Sequence, residues 1–425
     1  MSSSDSTTLL GAAAAGACAA ILSAKILQPP TPTTAASPSV QAQPAAGGGG
    51  GAGGDRGSGL GIHTTQEDQT DPVTVCVSGA AGQIGYSLIP LLCSGAVFGE
   101  TTPVYLRLLD VKQGMEAMRG IAMELEDASY PLLRDVYTTC DYSVAFTGVD
   151  VVVLVGGMPR REGMERSDLI GINSKIFHGM GVVLNEVADP SVKVLVVANP
   201  ANTNCRTLIK SCPKIPATNF SALTRLDHNR AKSLTARRVN WTTRLQTGAG
   251  GRAEGVVTDT NRVAPNDVKN VIIWGNHSQV QYPDLNHAVV MLRSHRPAPV
   301  RSMLDTEWIE GEFVTTVQQR GAKVIQARGA SSALSAAAAI AGHLNDWLHG
   351  TQEGEFVSMA IDSTGNPYGV PDGLVFSFPV ICSGGEYSIV EDLYIDPRSR
   401  DMIEKNVADL AVEWNAAQAA LNAKL

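Results

Sequence analysis

The chain has 425 residues, of which 44% are hydrophobic and 17% are charged, and its formal net charge is −8. This length is sufficient for two domains, each with its own core. The acidic balance argues against a surface that binds nucleic acid. The seven cysteines show no Cys-x-x-Cys or Cys/His spacing. They therefore predict buried thiols in a reducing compartment, with neither a disulfide framework nor a metal site.

The first seventy residues differ in composition from the rest of the chain. Residues 8–27 are mostly Ala, Leu, Ile and Gly with Lys25 among them, and the Gly-rich run GGGGGAGG ends at Gly54. Such a segment cannot bury enough apolar area to fold alone, so we predict a low-complexity extension over 1–70. It is a weak match to a membrane-spanning helix, and we expect no membrane partner.

The compartment depends on what this extension does. Its Ser, Thr and Ala content and its few acidic residues resemble a transit peptide, although arginine is scarce. A transit peptide would direct the protein to a plastid or mitochondrion. Without that function we expect a cytoplasmic protein.

Ordered sequence begins near Asp71 with apolar runs that are typical of buried strands. These runs are VTVCVSG (73–79), VYLRLLD (104–110), VDVVVLVGG (149–157) and VKVLVVANP (192–200). Helical stretches separate them, and this alternation predicts a doubly wound parallel sheet of the Rossmann type in an α/β fold. We place this cofactor domain at 71–222 and a C-terminal α+β catalytic domain at 223–425.

The first strand ends in a glycine pattern that indicates a dinucleotide site. Gly79, Gly82 and Gly85 form G-x-x-G-x-x-G between a strand and a helix, where glycine permits a tight turn and lets the backbone approach a pyrophosphate. The predicted loop comprises Gly79, Ala80, Ala81, Gly82, Gln83, Ile84 and Gly85. Taken alone, the pattern also fits a plain strand–helix turn. Asp110 ends the second strand, where a carboxylate accepts hydrogen bonds from ribose hydroxyls and repels a 2′-phosphate, so NAD is favoured over NADP.

Polar residues also follow the next two strands. The segment MPRREGMERSD carries Arg160, Arg161 and Arg166 just beyond the carboxyl end of a strand, where ligands of parallel sheets bind. Because the guanidinium group matches a carboxylate, these arginines predict an anionic, dicarboxylic substrate. The segment VVANPANTN offers amides that can bind a nicotinamide ribose and a substrate hydroxyl. A turn with Asx caps is the alternative interpretation of that segment.

Two further segments supply an acid–base pair. WGNHSQVQYPD places His277 just past an apolar strand, and an imidazole can accept a hydroxyl proton as hydride leaves the same carbon. In LTRLDHNRAK, helical spacing puts Asp227 and Arg230 on one face and turns His228 away from Asp227. Asp227 is therefore the natural partner of His277, since strand ends converge at one sheet edge. A solvated helix face with an ion pair is the alternative for this decapeptide.

Five motifs together resemble the malate dehydrogenases of the lactate/malate dehydrogenase superfamily, specifically the cytosolic-type branch. They are GAAGQIG, PRREGMER, NPANTN, LTRLDHNRAK, and NVIIWGNHS with the following QYPD. The resemblance extends from about Asp71 to the C-terminus. It implies a homodimer that interconverts (S)-malate and oxaloacetate with NAD.

The resemblance also implies a role for each matching residue. His277 is the proton acceptor and Asp227 orients it. Arg230 binds the substrate C1 carboxylate, Arg166 polarises the carbonyl, and Arg160 on a mobile loop recognises the distal carboxylate. Asn199 contacts both substrate and cofactor. The cofactor contacts implied beyond the glycine loop and Asp110 are Asn173, Val197, Ala198 and Asn199. By the same resemblance His228 is structural.

Departures from the family pattern bear on the alternatives. The Gly- and Thr-rich segment 240–261 has no hydrophobic period and no counterpart in that pattern, so we predict an inserted loop, either lineage-specific or retained intron sequence. Plastid NADP enzymes carry Gly-Ser at the place of Asp110 and cysteine-bearing extensions, which disfavours that alternative. A lactate-type enzyme would have a neutral residue where Arg160 stands. An inactive nucleotide-binding homologue would not need the intact set of His277, Asp227 and arginines.

Overall fold

The apolar runs of the sequence form strands in the computed structural model, which describes residues 71–159, 164–246, 262–292 and 296–423. The predicted extension 1–70 lies outside these ranges. The strands of the described residues are β1 (Val73–Ser78), β2 (Val104–Leu109), β3 (Leu133–Thr139), β4 (Val151–Leu154), β5 (Lys193–Val196), β6 (Phe220–Ala222), β7 (Val268–Lys269), β8 (Ile272–Trp274), β9 (Tyr282–Asp284), β10 (Val289–Met291), β11 (Pro297–Pro299), β12 (Val357–Asp362), β13 (Val375–Ser383) and β14 (Glu386–Ile389).

Helices connect these strands and cover the sheet. The helices of the same ranges are α1 (Gln83–Cys93), α2 (Met115–Ala128), α3 (Tyr142–Phe146), α4 (Arg166–Val187), α5 (Ala201–Ser211), α6 (Arg225–Gln246), α7 (Val300–Met303), α8 (Thr306–Trp308), α9 (Val314–Arg328), α10 (Leu334–His349) and α11 (Pro397–Asn422). Within them, α10 packs on α1, and α11 packs on α4 and α5. In the described part of the chain, no helix has the length and apolar content that crossing a bilayer requires.

The central sheet confirms the predicted Rossmann arrangement. Strands β1 to β6 pair in parallel in the order β3-β2-β1-β4-β5-β6. Every residue of β4 is buried, which explains why the central strands are unbroken apolar runs: helices cover both faces of the sheet. The carboxyl ends of these strands therefore bring the predicted ligand-binding loops to one edge.

The sheet does not stop at the predicted domain boundary. Antiparallel strands β12, β13 and β14 extend it beyond β6, so one sheet of nine strands contains residues from both predicted domains. The junction is a pairing of Ala360 with Ala222. These strands cover what would be an open edge of the parallel sheet at β6. The described residues from 71 onward accordingly belong to one compact unit.

An aromatic cluster anchors the short hairpin of β8 and β9. Trp274 is fully buried, and its ring lies edge-on to Tyr368 at a centroid distance of 4.8 Å. Its indole Nε1 donates to Asp284 at 3.1 Å. Gly275 and Ser377 of β13 exchange backbone hydrogen bonds of 3.2 and 2.9 Å. The segment between β8 and β9 is therefore held at both ends.

The prediction of an inserted loop from Asn240 onward is wrong for residues 240–246, which belong to α6. Trp241 is 57% exposed, and the local sequence has no apolar face, so the helix has no periodic signature there. The Asn240 side chain hydrogen-bonds both the N–H and the carbonyl of Val263, each at 2.9 Å. This contact joins the two flanks of residues 247–261, which lie outside the described residues.

Gly79→Ala tests the close packing at the end of β1. Gly79 has φ +65°, and a Cβ there would lie 2.6 Å from the Gly156 Cα. We expect the substitution to lower the free energy of unfolding by about 2–4 kcal/mol, measured by urea denaturation. The matched control is Gly120→Ala in α2, where a Cβ meets no atom within 4 Å; it should stabilise by about 0.5–1 kcal/mol. Equal effects at the two positions would contradict the packing argument.

Candidate active site

The turn between β1 and α1 leaves room for an anionic ligand. A Cβ on Gly85 would lie 2.7 Å from the Ala80 Cα and carbonyl oxygen, so only glycine allows α1 to start this close to the strand. Gly82 caps α1, and no acidic residue lies in the first turn of that helix. The first N–H groups of a helix carry partial positive charge and lack partners within the helix. This geometry fits the pyrophosphate of a dinucleotide.

The carboxylate of Asp110 is tied to this turn. Its Oδ2 accepts a hydrogen bond from the Ala81 N–H at 2.9 Å, and its Oδ1 accepts one from the Val111 N–H at 2.8 Å. A Cβ on Gly114 would lie 2.9 Å from the Asp110 Cγ, so a glycine not singled out in the sequence also makes room for this side chain. Asp110 is thus fixed beside the glycine turn with lone pairs left for ribose hydroxyls.

Asn173, which the family resemblance implies as a cofactor contact, lies between two of the loops at the sheet edge. Its side chain is fully buried. The Asn173 amide accepts from the Met158 N–H at 2.8 Å and donates to the carbonyls of Met158, at 3.1 Å, and Asn199, at 2.9 Å. In this structure it therefore positions two loops. Asn199 itself is exposed, whereas Val197 and Ala198, which precede it beyond β5, are buried.

Three predicted residues meet at a buried carboxylate. Asp227, in the first turn of α6, is 0% exposed. Its Oδ2 accepts a hydrogen bond from His277 Nδ1, and its Oδ1 accepts one from Arg230 at 2.9 Å. Because Nδ1 donates its hydrogen to the carboxylate, a neutral imidazole ring carries its proton on Nδ1. Its Nε2 is then unprotonated and can act as the proton acceptor. The predicted pair is Asp227 with His277, and the structure brings these two side chains together.

Electrostatics in this cluster favour a charged pair. Burial works against the protonated imidazole, but the facing carboxylate of Asp227 outweighs it and raises the pKa of His277; Glu413 adds to this and Arg230 opposes it. Burial likewise works against the Asp227 carboxylate, yet His277 and Arg230 hold its pKa below the ordinary value. His277 can therefore take up a proton while Asp227 stays ionised.

His228 lies apart from this cluster. It is 1% exposed, and its Nδ1 lies 3.1 Å from Ser358 Oγ on β12. Burial first, and then the charges of Arg225 and Lys232, hold its pKa well below the ordinary value. The ring is neutral in the core, as a structural histidine should be.

Asn202 and Gln281 also support the histidine cluster, although neither was predicted from the sequence. The Asn202 Oδ1 accepts from the His277 N–H at 3.0 Å, and its amide donates to the carbonyls of Gly275, at 3.2 Å, and Val375, at 2.9 Å. The buried amide of Gln281 donates to Asp227 and helps to lower the pKa of that carboxyl. Asn202 lies in the asparagine-rich motif VVANPANTN, and a polar side chain just after a buried strand could have indicated a site residue. Gln281 had no signal beyond its nearness to His277.

A second buried carboxylate was also missed. Arg166, the first residue of α4, pairs with Glu413 of α11 and lies 3.8 Å from Asp409. Burial opposes the charge of Arg166, but these carboxylates raise its pKa. Glu413 lies far from Arg166 in sequence, on a helix whose function no motif indicates. Arg160 and Arg161 lie outside the described residues, so the structure does not place them.

A cavity of about 290 Å³ adjoins Arg230 between α6, α9 and α10. Polar side chains that line it include Asn229, Arg230, Ser233, Arg320, Ser332 and Ser335. Arg230 donates to Ser332 Oγ at 3.4 Å. Over the ranges that the structure describes, no group of three or more His, Cys, Asp or Glu is placed to hold a metal ion.

Comparison with known proteins identifies the family. The model described as lactate/malate dehydrogenase, NAD binding domain, matches residues 73–221, and that for the lactate/malate dehydrogenase alpha/beta C-terminal domain matches residues 224–420. The chain is 51% identical to the cytoplasmic malate dehydrogenase of Homo sapiens, covering 82% of this chain and 98% of that protein. Identity to the cytoplasmic malate dehydrogenase of Zea mays is 49%, covering 83% of this chain and 99% of that one.

Solved structures give the same result. Malate dehydrogenase from Naegleria fowleri superimposes with a TM-score of 0.73 at 41% identity, covering 82% of this chain and 98% of that one. Trichomonas vaginalis lactate dehydrogenase in complex with NADH and oxamate also reaches a TM-score of 0.73, at 35% identity over 82% of this chain and 99% of that one. Together with the buried aspartate–histidine pair and the glycine turn, these matches show that the chain belongs to the lactate/malate dehydrogenase family.

Proposed function

We propose that this protein is an NAD-dependent L-malate dehydrogenase that interconverts (S)-malate and oxaloacetate. The observation that carries the proposal is the buried Asp227 carboxylate shared by His277 and Arg230, a pairing that holds a proton acceptor beside a cation able to bind a carboxylate. Identities of about 50% to malate dehydrogenases over more than four-fifths of the chain support it. We assign cofactor binding to residues 71–222 and catalysis to 223–425.

Three arginines bind and polarise the substrate in this proposal. Arg230 binds the C1 carboxylate, and the serine that it contacts, Ser332, lines the adjoining cavity. Arg166 donates to the carbonyl oxygen, where negative charge develops as oxaloacetate is reduced. Arg160 matches the distal carboxylate with its guanidinium fork. Asn199 contacts substrate and cofactor, and Asn173, which donates to the Asn199 carbonyl, contacts the cofactor.

The chemistry is a coupled transfer of hydride and proton. NAD, when bound at the glycine turn and Asp110, supplies the acceptor or donor of the hydride at C2 of the substrate. In malate oxidation His277 Nε2 takes the hydroxyl proton, and in the reverse direction it returns that proton to the carbonyl oxygen. Asp227 fixes the imidazole tautomer and stabilises the imidazolium where it forms. Val197 and Ala198 complete the cofactor-binding set at the end of β5.

The alternatives fit the chain less well. A lactate-type activity would need a neutral residue in place of Arg160, because a second carboxylate is then absent from the substrate. An NADP enzyme would meet repulsion between Asp110 and the 2′-phosphate. An inactive homologue would not need a buried Asp227–His277 pair, because burying these charged groups costs desolvation free energy.

We also propose a homodimer and a compartment set by the extension. The family resemblance implies two subunits, and the exposed apolar side chains of Tyr86, Met123 and Leu334 supply surface that a second subunit would cover. The names of the relatives from Homo sapiens and Zea mays place those proteins in the cytoplasm. The same compartment follows for this chain unless residues 1–70 act as a transit peptide.

Asp227→Asn should lower the pKa of His277, because it removes the carboxylate that raises it. Oxaloacetate reduction needs the protonated ring, so this activity is lost as pH rises through the pKa of His277. The variant should therefore lose oxaloacetate reduction at a lower pH than the wild type. Malate oxidation needs the neutral ring, so in the variant it should appear at a lower pH than in the wild type. Turnover should fall about 10²- to 10⁴-fold at every pH because the wrong tautomer is allowed. Steady-state pH profiles in both directions measure this.

His277→Asn and His228→Asn complete this series. The first should cost at least as much turnover as Asp227→Asn, and the double variant at 227 and 277 little more, because the two residues act as one unit. His228→Asn should change turnover of the folded protein only mildly. A severe loss at His228 with a mild loss at His277 would show that the wrong histidine had been assigned.

Arg160→Gln tests substrate specificity. Removing the guanidinium group that matches the distal carboxylate should lower kcat/KM for oxaloacetate by about 10²-fold or more, with a relative gain for pyruvate. Assays of both keto acids with NADH measure the ratio. An unchanged kcat/KM for oxaloacetate would contradict the role of Arg160.

Asp110→Ser tests cofactor choice. The wild type should use NADH at least about 10²-fold better than NADPH, and the variant should narrow this gap by relieving repulsion of the 2′-phosphate. The measurement is kcat/KM for each cofactor at saturating oxaloacetate. Equal use of both cofactors by the wild type would refute the proposed role of Asp110.

A further inference from the structure

Glu413 is a buried carboxylate that joins three elements next to the histidine cluster. Its side chain is 2% exposed, and it pairs with Arg166 at the start of α4. It also accepts hydrogen bonds from Thr203 Oγ1 of α5 at 2.6 Å and from the Asn276 amide at 3.0 Å. Asn276 immediately precedes His277. A buried carboxylate with this many partners cannot move without breaking several bonds at once.

Arg166 is held differently from its partner. Its side chain is 50% exposed, and only its Nη2 contacts the carboxylates of Glu413 and Asp409. Among the hydrogen bonds of the described residues, none uses its Nε or Nη1. One end of the guanidinium group is therefore anchored to a fixed anion, while the remaining donors point away from that anchor in the same rigid plane.

We propose that Glu413 is a positioning residue for the reaction, which fixes Arg166 through Nη2 so that its other donors meet the substrate carbonyl. This rests on the proposed function, since Arg166 acts on the carbonyl only there. The competing arrangement is an exchange, in which Arg166 must leave Glu413 before it reaches the substrate. The anchored arrangement is favoured because Glu413 contacts only Nη2 of Arg166 and is itself held by Thr203 and Asn276.

The same carboxylate acts on the proton acceptor. The charged groups that act on His277 are Asp227 and Arg230 of α6 and Glu413 of α11. Glu413 adds to the rise in the pKa of His277, although less than Asp227 does. A single buried charge thus supports both carbonyl polarisation and proton transfer.

Glu413→Gln isolates the charge. A glutamine can keep its oxygen towards Arg166 and Asn276 and donate its amide to Thr203, so the shape and hydrogen bonds persist. We expect kcat for oxaloacetate reduction with NADH to fall about 10-fold or more with KM changed less than about threefold, because the lost interaction acts in the transition state. The alkaline limb of the pH profile should move to lower pH. Glu404→Gln, an exposed position on the same helix, is the matched control and should leave both unchanged.

A double-variant cycle with Arg166→Gln decides how Glu413 acts. At a pH below the alkaline limb of every variant, the shift in the pKa of His277 does not affect the rate. If Glu413 acts through Arg166, the double variant should there be little slower than Arg166→Gln alone, whereas independent effects multiply. The proposal is overturned by multiplying effects, by a kcat of Glu413→Gln within twofold of wild type, or by a fall in KM at unchanged kcat, which is the result of exchange. A wild type that reduces pyruvate but not oxaloacetate would overturn the proposed substrate alone, and the cycle would then be run with pyruvate.

Discussion

The buried carboxylate of Asp227 is the group that joins the side chains of the candidate active site. A lone carboxylate this deeply buried would be destabilised by several kcal/mol unless cations or donors faced it. His277 and Arg230 both do so, which means that one anion positions the proposed proton acceptor and the proposed carboxylate-binding cation relative to each other. If either His277 or Arg230 is removed, the Asp227 carboxylate keeps only one of its two cationic partners, and the net charge of the cluster changes.

The sheet makes this arrangement possible. Parallel strands bring Gly79, Asp110 and Asn199 to one edge because each follows the carboxyl end of its strand. The antiparallel strands then hold the segment that carries the proposed catalytic histidine: Ser377 of β13 hydrogen-bonds the backbone of Gly275, two residues before His277. The extension of the sheet beyond β6 therefore has a functional consequence, since it holds the histidine segment against the cofactor half.

A second buried anion, Glu413, balances the first. Asp227 lies at the start of α6 and Glu413 in the second half of α11, and each pairs with an arginine. Both raise the pKa of His277. Each anion offsets the charge of the arginine with which it pairs.

The features that could be predicted from the sequence are those with local signals. Glycine spacing, unbroken β-branched runs and the 227/230 helical spacing predicted the Rossmann sheet, the cofactor turn and the residues Asp227, Arg230 and His277, because strand period, turn chemistry and helix faces act over a few residues. Three features emerged from the folded chain: Asn173 joins two loops, α6 continues to Gln246, and the side chains of Glu413, Asn202 and Gln281 support the candidate site. Those contacts join residues distant in sequence or lack periodicity, so no local pattern specifies them.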